Sequence, residues 1–425
     1  MNATGAGEDL EAFRERARRW LADHAAPLPD GADGAGRGPG LRGTGSDDVS
    51  VFHDLSFDDE QALIGRAAAW QRQKVDAGFS GLPLPGQDDA GPTLGPERAE
   101  AFAYEESRFD VPRRHELVAV TVHLVAPTLG LLGTPAQRDR LLHRFFRADA
   151  LCCQLFSEPG AGSDLAALAT RAVRDGDGWV VNGQKVWSSG AQFAGWGLLI
   201  ARSDPDVAKH AGMTAFLLPL DTPGVTVRPL RQMSGGTSFN EVFLDDVHIP
   251  DDLRLGDVGQ GWKVALTTLG FEREVSGGQS GVGGGWRELA PLARALGRMD
   301  DPIVRQRLAD VYINERLAEV ATLRDAQSRR SGRAPGPEGS FRKLHWVTGM
   351  ALASSAAQLL LGPRVAADTG EWGTFSWSAH LLGAPGYRIA GGSDEIQRTI
   401  IAERILGLPA EPRVDRDRPW RDVPR

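Results

Sequence analysis

Apolar positions recur along the chain with two different periods, and the change of period divides it into three parts. Phe13, Ala17, Trp20 and Leu21 follow Leu10 at helical spacing, predicting an amphipathic helix whose basic face carries Arg14, Arg16, Arg18 and Arg19. The helical period continues from Phe57 to Ala148, interrupted by the Pro/Gly stretch Gly81–Pro96. It then gives way to extended patterning. Trp179-Val180-Val181, Asn182-Gly183 and Gln184–Trp187 read as a hairpin turning at Asn182-Gly183, and strand-like runs follow at Gly197–Ala201, Thr214–Pro219, Val225–Pro229 and Glu241–Leu244. After Gly261 the helical period returns, as in Val304, Leu308, Val311 and then Ile313, Leu317, Val320. Ser393 is placed to cap a last helix with Asp394 and Glu395 in its first turn, and Gly407 and Pro409 end it.

The order α, β, α predicts an α+β multidomain chain. Residues 1–50 read as an N-terminal helix and connector, 51–150 as a helical domain, 151–260 as a β domain, 261–410 as a helical bundle and 411–425 as a tail. Seven of the fifteen residues in Gly31–Gly45 are Gly, which predicts a flexible connector. With 425 residues and 41% hydrophobic side chains, the chain can bury a large core, which excludes general disorder. A net charge of −8 argues against coating nucleic acid or anionic lipid. Adjacent Cys152 and Cys153 form neither a disulfide framework nor a spaced metal pattern, and no metal site is expected. Leu117–Gln137 and Trp346–Pro363 are long and uncharged, but polar residues, Pro and Gly interrupt them, so buried core helices are expected and no membrane partner. The opening residues show no basic-then-apolar signal, and a cytoplasmic location is expected.

Several catalytic signatures are missing: the phosphate loop G-x-x-x-x-G-K-S/T, the nucleophile elbow G-x-S-x-G, H-E-x-x-H and C-x-x-C. One segment stands out. Ser157-Glu158-Pro159-Gly160-Ala161-Gly162-Ser163-Asp164 combines hydroxyls with small residues that let backbone N–H groups approach an anion, although an ordinary turn into the first strand has the same composition. Trp187-Ser188-Ser189 sets an aromatic face next to a hydroxyl, a pattern that a core Trp also produces.

Together Gln154–Asp164, Lys185–Gly190, Asn240–Val247 and Ile389–Leu408 resemble, in order and spacing, the acyl-CoA dehydrogenase family. The resemblance implies an N-terminal helical domain, a central β-barrel and a C-terminal four-helix bundle, with FAD between them. It also implies α,β-dehydrogenation of an acyl-CoA thioester, and an electron-transferring flavoprotein as acceptor. Carried over by position, Gln154, Phe156, Ser157, Gly162 and Ser163 match the loop on the isoalloxazine and phosphates, and Trp187 and Ser189 match the pair beside the ring, the hydroxyl reaching toward N5. Ser393 and Glu395 match further cofactor contacts, and Ser163, Arg273, Gly391 and Gly392 match positions at the thioester.

The sequence also departs from that family. Its commonest members keep the catalytic Glu immediately before a Gly-Thr pair, whereas here the stretch is Ala390-Gly391-Gly392-Ser393. A minority place the base on an earlier helix just before an Arg. Phe271-Glu272-Arg273 matches that pattern, which makes Glu272 the candidate base and Glu274 the fallback. Gly277–Gly285 holds six Gly and should break that helix. The Arg-x-x-Phe-Gly element that a neighbouring subunit contributes to FAD is absent from residues 290–305, and the Gln-x-x-Gly-Gly-x-Gly stretch is reduced to Leu382–Gly386. This resembles a short actinobacterial-type branch in which some members pair unlike subunits, so a homo-oligomer or a heteromer is expected. Two alternatives follow: a non-catalytic partner subunit, or a flavoprotein of the same fold acting on a carrier-bound acyl group.

Overall fold

The computed structural model describes residues 8–28, 49–81, 94–276, 283–330, 336–366, 374–413, 415 and 417–423. The Gly-rich connector, most of the Pro/Gly stretch and part of the Gly277–Gly285 run lie outside them.

The first part is helical: α1 (Leu10–His24), α2 (Phe57–Asp76), α3 (Pro96–Glu106), α4 (Glu116–Leu132) and α5 (135–146), with short strands β1 (Ala26–Pro27) and β2 (Phe109–Asp110) paired. Asp9 caps α1 by accepting the Ala12 N–H at 2.8 Å, and the helix buries Phe13, Ala17 and Leu21 against Trp70, Phe79 and Phe102. Its basic face is neutralised. Arg14 pairs with Glu105, Arg16 with Glu8, and Arg18 with Glu11, Glu15 and Glu105. α4 is a core helix: Leu117, Val122, Leu124, Val125, Ala126 and Leu129 are buried, and the Thr121 and Thr128 hydroxyls bond back to carbonyls of the same helix.

The middle part is one eight-stranded sheet: β3 (Cys152–Leu155), β4 (Arg171–Asp175), β5 (Gly178–Ser189), β6 (Trp196–Arg202), β7 (Met213–Pro219), β8 (Val225–Leu230), β9 (Phe239–Pro250) and β10 (Arg254–Leu255). Its order is β10-β7-β6-β4-β5-β9-β8, with β3 parallel to β6. The expected hairpin at Asn182-Gly183 is corrected. β5 runs straight through these residues, and the hairpin turn lies earlier, between β4 and β5. Gly183 (φ +153°) marks a bulge against β9, where a Cβ would approach Thr170 Oγ1 to 2.5 Å. Asn182 there exchanges two 2.9 Å hydrogen bonds with Asp246 on β9, so the turn-forming pair stabilises a bulge instead. Both cysteines are buried in β3, and burial pushes the Cys153 thiol up to about 12.

The last part comprises α6 (Gly261–Ser276), α7 (Trp286–Ala295), α8 (Pro302–Arg330), α9 (Glu338–Leu361), α10 (Thr374–Tyr387) and α11 (Asp394–Ile400), the last continuing as a wider turn over 401–405. α6 packs on α4, with Thr268 and Thr128 hydroxyls 3.1 Å apart. α6 is described to Ser276; of the Gly run in which it is expected to break, only Gly283–Gly285 lie among the described residues, and they are not helical. The two apolar series of α8 lie on different faces: Val304, Leu308 and Val311 are buried in the bundle, whereas Ile313, Leu317 and Val320 are about half exposed. Glu338–Ala366 is long and apolar enough to cross a membrane, yet it buries Val347, Met350, Ala353, Ala357 and Leu360 inside the bundle, as a core helix does. The tail then returns to the sheet. Trp420 N–H donates to Val207 O at 2.9 Å, its ring lies 4.9 Å from the Arg202 guanidinium, and Asp415 accepts from Lys209 Nζ at 2.6 Å.

Candidate active site

Three segments of the sheet region converge on one cleft. Gln154 lies near the end of β3, shortly before buried Phe156, and the loop from Ser157 to Asp164 is tied to β5 because Val186 N–H donates to Ser157 O at 2.9 Å. Glu158 accepts from Ala169 N, Thr170 N and, at 2.7 Å, the fully buried Lys185 Nζ. Burial opposes that carboxylate, but Lys185 and the amides outweigh burial and hold its pKa low. The loop is thus anchored at its start, and at its end Asp164 accepts from Lys209 Nζ at 2.8 Å, while Gly160, Gly162 and Ser163 stay exposed.

Next to the loop, β5 and β9 lose register between Lys185 and Ser188, and Trp187 takes φ +61°. Such a conformation costs a bulky residue on the order of 1–3 kcal/mol, and here it turns the indole outward, 61% exposed, edge-on to Phe239. Phe239 continues an aromatic run through Phe52 to Tyr387, stacked at 5.2 Å, and Trp346. The Gln154 Nε2 and Ser188 Oγ atoms close by are buried with no hydrogen-bond partner among the described residues. An open indole face beside unpaired polar atoms and an exposed Gly-Ser loop fits a flat, polar-edged ring bearing phosphates.

Ser189 Oγ donates to Glu116 Oε1 at 2.9 Å, joining β5 to the first residue of α4. The Glu116 side chain reaches solvent, but protein crowds it on most sides. That desolvation raises its pKa, against the lowering effect of the Ser189 bond. Before it, His115 caps α4: its Nδ1 accepts the Leu117 N–H at 3.1 Å, which leaves Nε2 protonated to donate to Glu60 Oε1 at 3.1 Å. His53 reaches the same Glu60 oxygen at 3.3 Å. Burial pushes Glu60 up, but the two imidazoles outweigh it and bring it down to about 2. These three residues place ligand-type atoms within 4.8 Å of one another, and the direction of the His115 bonds makes them a hydrogen-bonded anchor for α4.

Across the cleft, Tyr387 ends α10, where burial raises its pKa and the charges of Glu116 and Glu272 raise it further. Gly391 and Gly392 follow with φ of +65° and +88°, a turn that side chains rarely adopt. Gln397 Nε2 and Lys343 Nζ each donate to its carbonyls at 2.8 Å. A Cβ built on Gly391 would lie 3.1 Å from Glu272 Oε1. The carboxylate from α6 therefore stands beside the place from which a side chain at 391 would project. The side chains of Arg273 and Glu274 lie outside the described residues. Ser393 caps α11, accepting from Ile396 N at 3.4 Å, and Glu395 is held below its ordinary pKa by its own backbone amide and Ser393. Among the described residues no hydrogen bond links either to the 157–164 loop. The structure brings together Trp187, Ser189, Glu272 and Gly391 around Tyr387, and adds Glu116, Phe52, Phe239 and Lys343, which sequence reasoning missed. An acid opening an apolar helix reads as ordinary end capping, so Glu116 gave no separate signal.

Residues 153–247 match the acyl-CoA dehydrogenase middle domain, and residues 259–406 match the C-terminal domain. Acyl-CoA dehydrogenase IpdE1 of Mycobacterium tuberculosis is 38% identical over 410 residues, covering 95% of this chain and 99% of that protein. IpdE1 of Mycolicibacterium smegmatis is 35% identical over 416 residues, 95% of this chain and 99% of that one. Among solved structures, the ChsE4-ChsE5 complex from Mycobacterium tuberculosis matches with a TM-score of 0.66 at 26% identity, covering 97% of this chain and 100% of that chain. The Tcur3481-Tcur3483 steroid ACAD shares the fold with a TM-score of 0.73 at 24% identity, covering 97% and 100%. With this fold, this cleft and these matches over most of its length, the chain belongs to the acyl-CoA dehydrogenase family of FAD-dependent oxidoreductases.

Proposed function

We propose that the chain oxidises an acyl-CoA thioester to the trans-2-enoyl-CoA, with Glu272 taking the α-proton. The observation that carries this reading is the 3.1 Å between Glu272 Oε1 and the Cβ position of Gly391, which supports a carboxylate from α6 serving where relatives use a Glu of the 391 type. FAD, when bound, supplies the acceptor of the β-hydride at N5. Gln154, Phe156, Ser157, Gly162 and Ser163 would hold it from the loop, Trp187 would lie along the ring with Ser189 at N5, and Ser393 and Glu395 would add contacts from α11. An α-proton is weakly acidic, so the site must also stabilise negative charge on the thioester oxygen. The Gly391 N–H, with Gly392, Ser163 and Arg273 about the thioester, would serve there, and the buried Lys343 adds positive charge behind the turn.

Anaerobic titration of the yellow protein with straight-chain, branched and steroid-derived CoA thioesters, and with carrier-bound acyl groups, tests the reading. Flavin should bleach with its preferred thioester. In Glu272→Gln it should stay bound and bleach about 10²–10⁴-fold more slowly. Unchanged bleaching in that variant would remove Glu272 from the role.

A second reading, a subunit that completes a partner's flavin site, draws on the missing Arg-x-x-Phe-Gly element and on the exposed apolar face of α8. It gains if the chain is colourless alone and acquires flavin only with a second, related chain, while Glu272→Gln leaves the pair's activity intact.

A further inference from the structure

Resting on the flavin position just proposed, one contact goes further. We propose that Glu116 is a positioning residue that fixes the direction of the Ser189 hydroxyl and so sets how readily the bound flavin is reduced.

Ser189 has one hydroxyl proton and two lone pairs, and at 2.9 Å that proton is committed to Glu116 Oε1. Whatever lies beside Trp187 then meets the lone pairs of Ser189. The N5 atom of an oxidised isoalloxazine is itself an acceptor and gains nothing from them, whereas the reduced ring carries an N5–H that can donate. A Ser189 held this way favours the reduced cofactor. The holder is rigidly built. Glu116 is the first residue of α4, the preceding His115 caps that helix and is anchored on buried Glu60, and Glu60 is also engaged by His53. Tyr387, at the end of α10, feels the charges of both Glu116 and Glu272. Glu116 is also a negative charge near the ring, and a bare charge acts in the opposite sense, disfavouring added electrons. The two effects therefore separate by sign and by dependence on Ser189.

The test is an anaerobic reductive titration of the FAD-loaded protein against a reference dye, at one pH, for wild type, Glu116→Leu, Ser189→Ala and the double variant. Leu cannot accept, so Ser189 is released to donate to oxidised N5. Glu116→Leu should shift the midpoint in the reducing direction relative to the shift the same change makes in the Ser189→Ala background. The expected difference is about tenfold in the reduction equilibrium, or about 30 mV for a two-electron couple. Equal shifts in both backgrounds would overturn the proposal and leave Glu116 as a through-space charge. If Glu116→Leu loses its flavin, Glu116→Ala, which likewise cannot accept, is read in the same four-way comparison. Normal flavin binding and substrate reduction with equal shifts sinks this inference alone. Failure to bind FAD in any assembly sinks the flavin reading and this inference together.

Discussion

A buried cation and a buried carboxylate steady the loop on which cofactor binding is proposed to depend. Lys185 is fully buried and bonds Glu158 and the Phe156 carbonyl, so removing one partner strands a charge. Lys185→Met should cost about 3–5 kcal/mol in urea unfolding, and Lys185→Met combined with Glu158→Leu should recover much of that. Because pairing holds Glu158 below its ordinary 4.5, its contribution is complete above about pH 4.5 and is lost as pH falls through the folded value. The wild-type advantage over Glu158→Gln should therefore shrink in acid. What could be read from the sequence at this scale was uneven. Trp187, Ser189 and Glu272 sit in recognisable strings of neighbours, and the structure gathers them into one cleft. Glu116, Phe52 and Lys343 come from elements far apart in the chain, and only the packed molecule makes them neighbours.

Elements were legible where periodicity alone decides them. The strands over 196–230 and the capped last helix stand where the pattern puts them. Asn182-Gly183 misled because a positive φ is needed both by a tight turn and by a bulge, and only the partner strand β9 distinguishes them. The tail gave no periodic signal, yet it acts as a strap. Trp420 covers Arg202, whose guanidinium bonds the Ala166 and Lys209 carbonyls at 2.6 Å, and Asp415 shares Lys209 with Asp164 at the end of the loop. Deleting residues 410–425 should speed hydrogen exchange of the amides around Ala166–Thr170 without changing exchange in α8 and α9. Uniform protection after deletion would show the strap to be ornamental.

At the scale of the molecule, one side of the bundle is unfinished. Ile313, Leu317, Val320 and Leu323 expose an apolar strip along α8, the sort of surface that a protein–protein contact covers. On the proposal that this chain assembles with a copy of itself or a related chain, Leu317→Arg should lower the mass seen by light scattering while leaving the far-ultraviolet spectrum intact. A mass equal to wild type would direct attention to another face.

The 3.1 Å between Glu272 and the missing Cβ of Gly391 leaves room for one acid. An acid placed at position 391 would need the left-handed backbone of that turn and would face Glu272 at contact distance, where two carboxylates cannot both ionise freely and one is held protonated. On the proposed role of Glu272, Gly391→Glu should bleach its flavin more slowly than wild type in the anaerobic titration, and equal bleaching would show that the site accommodates both acids.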